Sequence, residues 1–330
     1  MINKLKNAAR VIDPFIVIML GLVVLASVLP VRGQAAVVAD IVTDAAIVLL
    51  FFLHGAKLSR EAIVAGFSNW RVHGVVLATT FIVFPLIGLF MQVSLSGIIA
   101  PMILSGFLFL TLLPSTVQSS IAFTGIARGN VAAAVCAASL SNVLGIFLTP
   151  LMVGLFMGAT SGVSMAAIEK IALQLLLPFV LGHLARPWLG GFIAKHKTLV
   201  GRVDRTSILL VVYTAFSASV VEGLWSKVSA VDLISVLILC AVVLTVVLWG
   251  TWFISGRLGF AREDRVVILF CGSKKSLASG VPMASTLFPA AMLGPVILPL
   301  MLFHQIQLIV CAFIAQKMKS PDTKSDTGDN

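Results

Sequence analysis

Two adjacent lysines, Lys274 and Lys275, lie in an apolar stretch that is long enough to cross a bilayer. The segment around them, 270–282, reads FCGSKKSLASGVP and so adds three serines, two glycines and a proline. A charge at the bilayer centre costs at least ~2.5 kcal/mol on insertion scales, so an ionisable residue there indicates function. Neighbouring helical positions point about 100° apart, so we expect the two lysines to have different roles. At least one of the lysines should contact an anionic substrate, gain and lose a proton, or replace a bound cation. The structural alternative is a permanent internal ion pair.

A second polar patch interrupts another apolar stretch at 113–120, where the sequence reads LPSTVQSS. Pro114 has no amide donor and disturbs a helix, and the hydroxyl and amide groups that follow could bind a cation or an organic substrate. A kinked helix whose hydroxyls satisfy its own carbonyls is the alternative. Because the two patches resemble each other, we predict a substrate site formed by Lys274, Lys275, Ser276, Pro114, Ser115, Thr116, Gln118 and His304.

Smaller polar groups occur in other apolar stretches, as SLSN at 139–142 and HQIQ at 304–307. Small polar residues commonly hold membrane helices together, but the similar places of these two groups in the two halves of the chain favour a shared polar centre. Asp40 and Asp44 have the i,i+4 spacing of one helix face. We expect Asp40 to cap its helix and Asp44, which lies deeper, to be a candidate for an ion pair or a proton pathway.

The composition excludes an ordinary soluble domain, because 59% of the residues are hydrophobic, 11% are charged and the mean hydropathy is +1.09. The net charge of +10 is dispersed over short loops, so no nucleic-acid partner is predicted. The cysteines lack metal-ligand and disulfide spacing and are expected to be free and buried. The sequence contains no phosphate loop, dinucleotide fingerprint or metalloprotease motif, so we predict no enzyme activity.

Ten stretches are long and apolar enough to span a membrane. They are 14–30, 37–55, 72–92, 98–126, 129–157, 165–187, 206–222, 231–255, 265–288 and 291–316. The first follows a basic start but is longer than a signal-peptide core, so we expect it to be retained.

Eighteen lysines and arginines lie on the side that holds both termini, against three on the other side. This bias predicts a multi-pass protein of the inner (plasma) membrane with both termini in the cytoplasm.

Ten spans suggest two units of five, 1–160 and 161–316, followed by a disordered cytoplasmic tail at 317–330. When a unit with an odd number of spans is duplicated in tandem, the two copies are inserted into the membrane in opposite orientations. Gln118 and Lys274 have equivalent places in the two units, as do Asn142 and His304. Inverted repeats with paired interrupted helices are typical of secondary transporters that bind substrate near the midplane.

Four local strings resemble the bile acid:sodium symporter superfamily, particularly its branch of bacterial sodium-dependent transporters. They are FLHGAKLS at 52–59, LPSTVQSS at 113–120, SLSNVLG at 139–145 and FCGSKKSL at 270–277. The resemblance extends over nearly the whole chain. It implies an all-α fold of ten transmembrane helices in two inverted five-helix repeats, with broken helices 4 and 9 crossing in a core domain beside a panel domain. It also implies sodium-coupled transport of an organic anion.

The resemblance assigns cation ligands, and this chain departs from them at one place. The family's fourth-helix ligand pair aligns with Ser119 and Ser120, whereas its ninth-helix Glu and Gln are replaced by Cys271 and Lys275. An ammonium within ~4–6 Å of a sodium ion would repel it strongly, which implies fewer sodium ions, protons or no coupling ion. The residues assigned to the cation site, or to what replaces it, are Ser119, Ser120, Ser139, Ser141, Asn142, Cys271 and Ser273.

These features predict a secondary active transporter of a small organic anion that works by alternating access in the lipid bilayer. The predicted coupling is symport with sodium or a proton, and no cofactor is expected beyond that sodium ion. The alternative is an ion channel, or a regulatory membrane protein that affects ion homeostasis without carrying a substrate. The sequence has no pore-loop filter string and no ring of acids, which argues against a channel.

Overall fold

The computed structural model describes residues 14–57, 69–161, 172–227 and 229–319, and in these residues the chain forms helices and no β-strand. Besides one short helical turn, Leu224–Lys227, the helices are α1 Pro14–Val28, α2 Gln34–Lys57, α3 Trp70–Ser94, α4 Pro101–Leu112, α5 Gln118–Ile126, α6 Val131–Ser161, α7 Leu177–Lys195, α8 Lys197–Val221, α9 Ala230–Arg257, α10 Arg262–Gly272, α11 Leu277–Leu287 and α12 Ala290–Met318. Helix α3 contains a π-helical segment, Thr79–Val83, and another, Ala172–Leu176, precedes α7.

Both predicted interruptions are present. The fourth predicted span is divided into α4 and α5, and the chain between them is extended at Leu113, where ψ is 155°. The ninth is divided into α10 and α11, and Ser276 caps α11 by accepting a hydrogen bond from the backbone N–H of Ser279 at 3.2 Å. Pro114 therefore follows the end of α4 in the first break, and Ser276 starts α11 in the second, as the chemistry of proline and of a serine cap favours.

Seven helices of the described part are long and apolar enough to cross a membrane, namely α2, α3, α6, α7, α8, α9 and α12. The number is smaller than ten because α1 has 15 residues and the half-helices have 9 to 12 each, too few to span a bilayer singly. Apolar side chains such as Leu155 and Val231, 73% and 72% exposed, lie on outer faces that a bilayer would cover. The protein is thus an all-helical, multi-pass membrane protein, and the ten-span inverted repeat stays a prediction.

Some boundaries differ from the predicted ones. Helix α8 begins at Lys197 rather than at 206, because its first turns carry Asp204 and Arg205, which lower the local hydropathy without ending the helix. The predicted tail begins at 317, but α12 continues through Met318. Residues 320–330 lie outside the described part, as does Lys170 of the predicted outer side.

Four helices form one wall of the site described below. Helix α1 packs along α8, and α2 packs against α7 and α8. The contact between α2 and α7 is unusually close, because a Cβ on Gly55 would overlap the carbonyl oxygen of Phe179 and a Cβ on Gly182 would overlap that of Phe52. Glycine at both positions therefore lets the two backbones touch, as small residues do between membrane helices.

Candidate functional site

The two interruptions lie against each other, and hydrogen bonds join them. The backbone N–H of Ser276 donates to the carbonyl oxygen of Pro114 at 2.8 Å. Ser115 Oγ donates to the carbonyl oxygen of Cys271 at 2.6 Å, and Ser120 Oγ donates to that of Phe270 at 3.0 Å. The serine hydroxyls of one break thus satisfy carbonyls at the end of the other half-helix, which an apolar surrounding requires.

Helix α6 supports both breaks through its SLSN group. Ser141 Oγ accepts from the backbone N–H of Ser115 at 3.0 Å, and Asn142 Nδ2 donates to the carbonyl oxygen of Ser115 at 2.6 Å. Asn142 Oδ1 also accepts from Ser279 Oγ at 2.9 Å. One amide side chain therefore connects the break after α4 to the first turn of α11.

Helix α12 supports the second break through Gln307, which we did not assign to the site from the sequence. Its Oε1 accepts from the backbone N–H of Lys275 at 2.9 Å, and its Nε2 donates to the carbonyl oxygen of the same residue at 2.9 Å. His304 Nδ1 lies 2.9 Å from this Nε2. The spacing of three residues, which puts both side chains on one helix face, is the signal that could have found Gln307.

The two lysines have different environments, as their positions predicted. Lys275 is fully buried, and its Nζ donates to the carbonyl oxygens of Thr80, Thr111 and Leu113 at 2.9, 2.8 and 2.7 Å. Lys274 is also fully buried, but its Nζ has no hydrogen-bond partner among the described residues. It lies 4.1 Å from the ring centroid of Phe123 and 5.3 Å from that of Phe270. No described carboxylate pairs with either lysine, so the structural ion pair considered from the sequence is not seen.

A cavity of about 540 Å³ lies beside the crossing. The breaks and the first turns of α5 and α11 form its polar side, and Phe15, Phe51, Phe179 and Ile208 form an apolar side. The predicted site residues that line it are Thr116, Gln118, Ser119, Ser139, Asn142, Ser276 and His304. The others at the crossing are buried behind this lining, namely Pro114, Ser115, Ser120, Ser141, Cys271, Ser273, Lys274 and Lys275. Asp44 is half-buried on α2, does not line the cavity and has no ion-pair partner among the described residues.

Charged residues that the sequence did not assign to the site line another part of the cavity. Lys57 on α2 and Asp204 on α8 form an ion pair, and His54 and Arg205 lie beside them. Of the described residues that line the cavity, Asp204 is the one acid. A hydropathy scan treats such residues as the ends of spans, so it does not indicate that they face a common space.

Of the residues predicted to bind a cation, Ser119 and Ser120 lie in a cluster of hydroxyls, whereas Cys271 and Ser273 do not. The hydroxyl of Thr116 lies 2.8 Å from Ser119 Oγ and 3.0 Å from Ser120 Oγ, so these three oxygens form one cluster. Cys271 and Ser273 lie away from the cavity, and Ser273 Oγ donates to the carbonyl oxygen of Leu269. The described part of the chain has no group of three or more His, Cys, Asp or Glu side chains suited to a metal ion. Among the described residues, the oxygen atoms that the crossing offers to a sodium ion are therefore neutral, and no carboxylate is among them.

The cavity receives the N-termini of two half-helices. The first N–H groups of α5 and α11 have no partner within their own helices, and the aligned peptide dipoles give each N-terminus a partial positive charge. Anions bind readily at such helix ends. The polar side of the cavity is therefore suited to an anionic group and the apolar side to a hydrophobic body.

Comparison with known proteins adds the family context. Residues 13–320 match the SBF-like CPA transporter family. An uncharacterized protein of Pseudomonas aeruginosa is 54% identical over 307 residues, which cover 92% of each chain. The Escherichia coli K12 protein named "Putative symporter YfeH" is 52% identical over 311 residues, 94% of each chain. The Xenopus laevis protein named "Sodium/bile acid cotransporter 7-A" is 28% identical over 287 residues, 84% of this chain and 82% of that one.

Proposed function

Since the chain belongs to the SBF-like CPA transporter family, and is therefore a membrane transporter rather than an enzyme, we propose that it carries an organic anion by alternating access. The family match confirms the resemblance that the four local strings predicted. Transport itself follows from the family, and we propose the substrate class, the mode of transport and the coupling.

The position of the cavity is the observation that carries the proposal. It lies between the crossed half-helices on one side and α1, α2, α7 and α8 on the other. A carrier needs one substrate site between two groups of helices that can move relative to each other, so that the site opens to one side at a time. The close packing of α2 against α7 supports movement of their wall as a unit.

The lining supports an amphipathic organic anion as the substrate. The N-termini of α5 and α11 favour the anionic group, and Lys57 and Arg205 add positive charge elsewhere in the lining. Phenylalanine and isoleucine side chains on the opposite side favour an apolar body. A volume of about 540 Å³ is within the range of sites that enclose a ligand of this size.

Symport with sodium or a proton completes the proposal, and the lining favours the proton. The one acid that lines the cavity among the described residues, Asp204, is paired with Lys57, whereas His304 in the lining is a group that can exchange a proton. The excess of basic residues on one side supports an inner-membrane protein with cytoplasmic termini. Lys57 and Arg205 belong to that side, so we infer that the cavity faces the cytoplasm.

Reconstitution tests the proposal. We expect purified protein in liposomes to take up amphipathic organic anions saturably, to exchange them for unlabelled substrate on the other side, and to respond to a proton gradient more than to a sodium gradient. Large single-channel currents without saturable exchange would instead support the channel alternative.

A variant that fills the cavity connects this transport to the site. Ala122 is exposed to the cavity, so Ala122→Trp should abolish uptake by occupying the space of the substrate while leaving the helix packing unchanged. The matched control is Leu155→Trp on an outward-facing position that is 73% exposed. Equal uptake by the two variants and the wild type would place the substrate elsewhere.

A further inference from the structure

The ammonium of Lys275 is surrounded by backbone oxygens in the way a bound cation would be. The carbonyl oxygens of Thr80, Thr111 and Leu113, here called the carbonyl triad, lie 2.7–2.9 Å from its Nζ. The ring centroid of Phe84 lies 4.2 Å from the same atom, a contact that favours a positive charge. A protonated lysine has three N–H donors and no acceptor, so three carbonyl oxygens match it fully.

Two prolines leave members of the carbonyl triad without the helical donors that would normally bind them. In a continuing helix the carbonyl oxygen of Thr111 would accept from the backbone N–H of residue 114 or 115, but Pro114 has no N–H and Ser115 donates its N–H to Ser141 Oγ at 3.0 Å. Around Thr80, the π-helical segment directs the N–H of Phe84 to the carbonyl oxygen of Thr79. The next residue is Pro85, which has no N–H.

The third member is freed by the break itself. The backbone at Leu113 is extended, with ψ at 155°, and α5 starts only at Gln118. Thr111 and Leu113 stand at the C-terminal end of α4, where the peptide dipoles give a partial negative charge. Three buried carbonyl oxygens of this kind are costly without a partner, and a buried ammonium is costly without acceptors, so each group requires the other.

We propose that the carbonyl triad is a monovalent-cation site built by the backbone, and that Lys275 occupies it as a cation attached to the chain. Removal of the side chain should leave a site that takes a small cation from solution. Lys274 is a natural contrast, because its equally buried Nζ has no hydrogen-bond acceptor among the described residues. For transport, a cation that belongs to the chain cannot exchange with solution, so this position cannot couple transport to sodium; that consequence rests on the proposed function, whereas the cation site does not.

Thermal unfolding of the purified full chain in detergent tests the site without any transport assay. Tryptophan fluorescence gives the Tm of the wild type, Lys275→Ala and Lys274→Ala in choline chloride that is replaced stepwise by ammonium chloride or sodium chloride at constant ionic strength. Choline is too large for the carbonyl triad. We expect Lys275→Ala to lose roughly 5 °C or more in choline and to regain a large part of it, saturably, in ammonium or sodium.

The matched variants define what would overturn the proposal. The wild type and Lys274→Ala should show no saturable recovery of this kind, and Lys275→Met, whose side chain fills the space without charge, should be unstable in all three salts. If Lys275→Ala cannot be purified in choline, the same salt titration is carried out on Lys275→Gln. Purification of Lys275→Ala that succeeds only in ammonium or sodium also shows that the variant depends on a cation. A Lys275→Ala protein that gains nothing from either cation, a Lys275→Met protein with the wild-type Tm, or failure of both Lys275→Ala and Lys275→Gln in every salt overturns the proposal.

Discussion

Adjacent lysines with the same burial have opposite hydrogen-bonding environments in this protein. Lys275 donates to three carbonyl oxygens, while Lys274 Nζ lies near the rings of Phe123 and Phe270. The sequence predicted a difference between them from their angular separation. It could not predict which residue would meet the carbonyls, because the acceptors come from positions 162 to 195 residues earlier in the chain.

We expect Lys274→Met to keep or raise the Tm. The change replaces a buried amine that has no hydrogen-bond partner among the described residues with an apolar chain of similar length, and such replacements are often neutral or stabilising. Thermal unfolding of the purified variant in detergent measures the effect, with Lys275→Met as the destabilised comparison. Equal losses of Tm in the two variants would contradict the distinction drawn here between the lysines.

Most site residues named from the sequence lie at the crossing, and the reason is their polarity. Serine and proline are uncommon enough in apolar stretches that their clusters at 113–120 and 270–282 mark the two breaks, and the SLSN group marks the continuous helix that supports them. The sequence could not separate the residues that line the cavity, such as Ser119, from those that satisfy the backbone behind it, such as Ser115. That division depends on which way a hydroxyl points once two distant segments meet.

Among the elements, α2 and α7 form the closest pair of helices in the wall opposite the crossing. We expect Gly55→Ala and Gly182→Ala each to lower the free energy of unfolding by about 1–3 kcal/mol or more, because each new Cβ would overlap a backbone carbonyl oxygen of the facing helix. Chemical or thermal unfolding of the purified variants measures this loss. The matched control is Gly250→Ala in α9, where no atom lies within 4 Å of the added Cβ and the change should be neutral or stabilising.

The Lys57–Asp204 ion pair joins α2 to α8 within the lining of the cavity. Asp204→Asn removes the negative charge and leaves Lys57 facing the space proposed for an anion. We expect the half-saturating concentration of an anionic substrate to fall by a few fold at low ionic strength, and the effect to shrink as salt screens the charge. Uptake kinetics measure it, with Asp40→Asn on an exposed part of α2 as the control. An unchanged or higher half-saturating concentration would argue against an anion near Lys57.

At the scale of the whole molecule, each predicted span overlaps a helix or a pair of half-helices in the described residues, and the first part of the sixth span, 165–171, lies outside them. Apolar runs specify the helices because a chain in lipid must satisfy its own backbone. What hydropathy could not predict is the amphipathic start of α8, since Asp204 and Arg205 face a cavity rather than lipid. The pairing of α2 with α7 in one wall of the cavity was also beyond a single sequence, because it depends on the close contacts of Gly55 and Gly182.

Cysteine labelling of intact cells tests the proposed orientation. The native cysteines are all buried, so a maleimide that cannot cross membranes should not label the wild type. We expect Lys317→Cys, near the end of α12, to react only after the cells are permeabilised, and Arg32→Cys, between α1 and α2, to react in intact cells. The opposite pattern would reverse the orientation inferred from the basic residues.

The carbonyl triad also has a consequence for how the protein is made. All three of its oxygens belong to residues 80–113, so the ribosome synthesises the acceptors long before it reaches Lys275. Until then the nascent first half contains backbone oxygens that neither its own helices nor lipid can satisfy, a state in which newly made chains are prone to misassembly. Completion of the second half supplies the missing donor. Fragment 1–160 expressed alone should therefore be degraded, and coexpression of fragment 161–330 should protect it when position 275 is lysine but not when it is methionine.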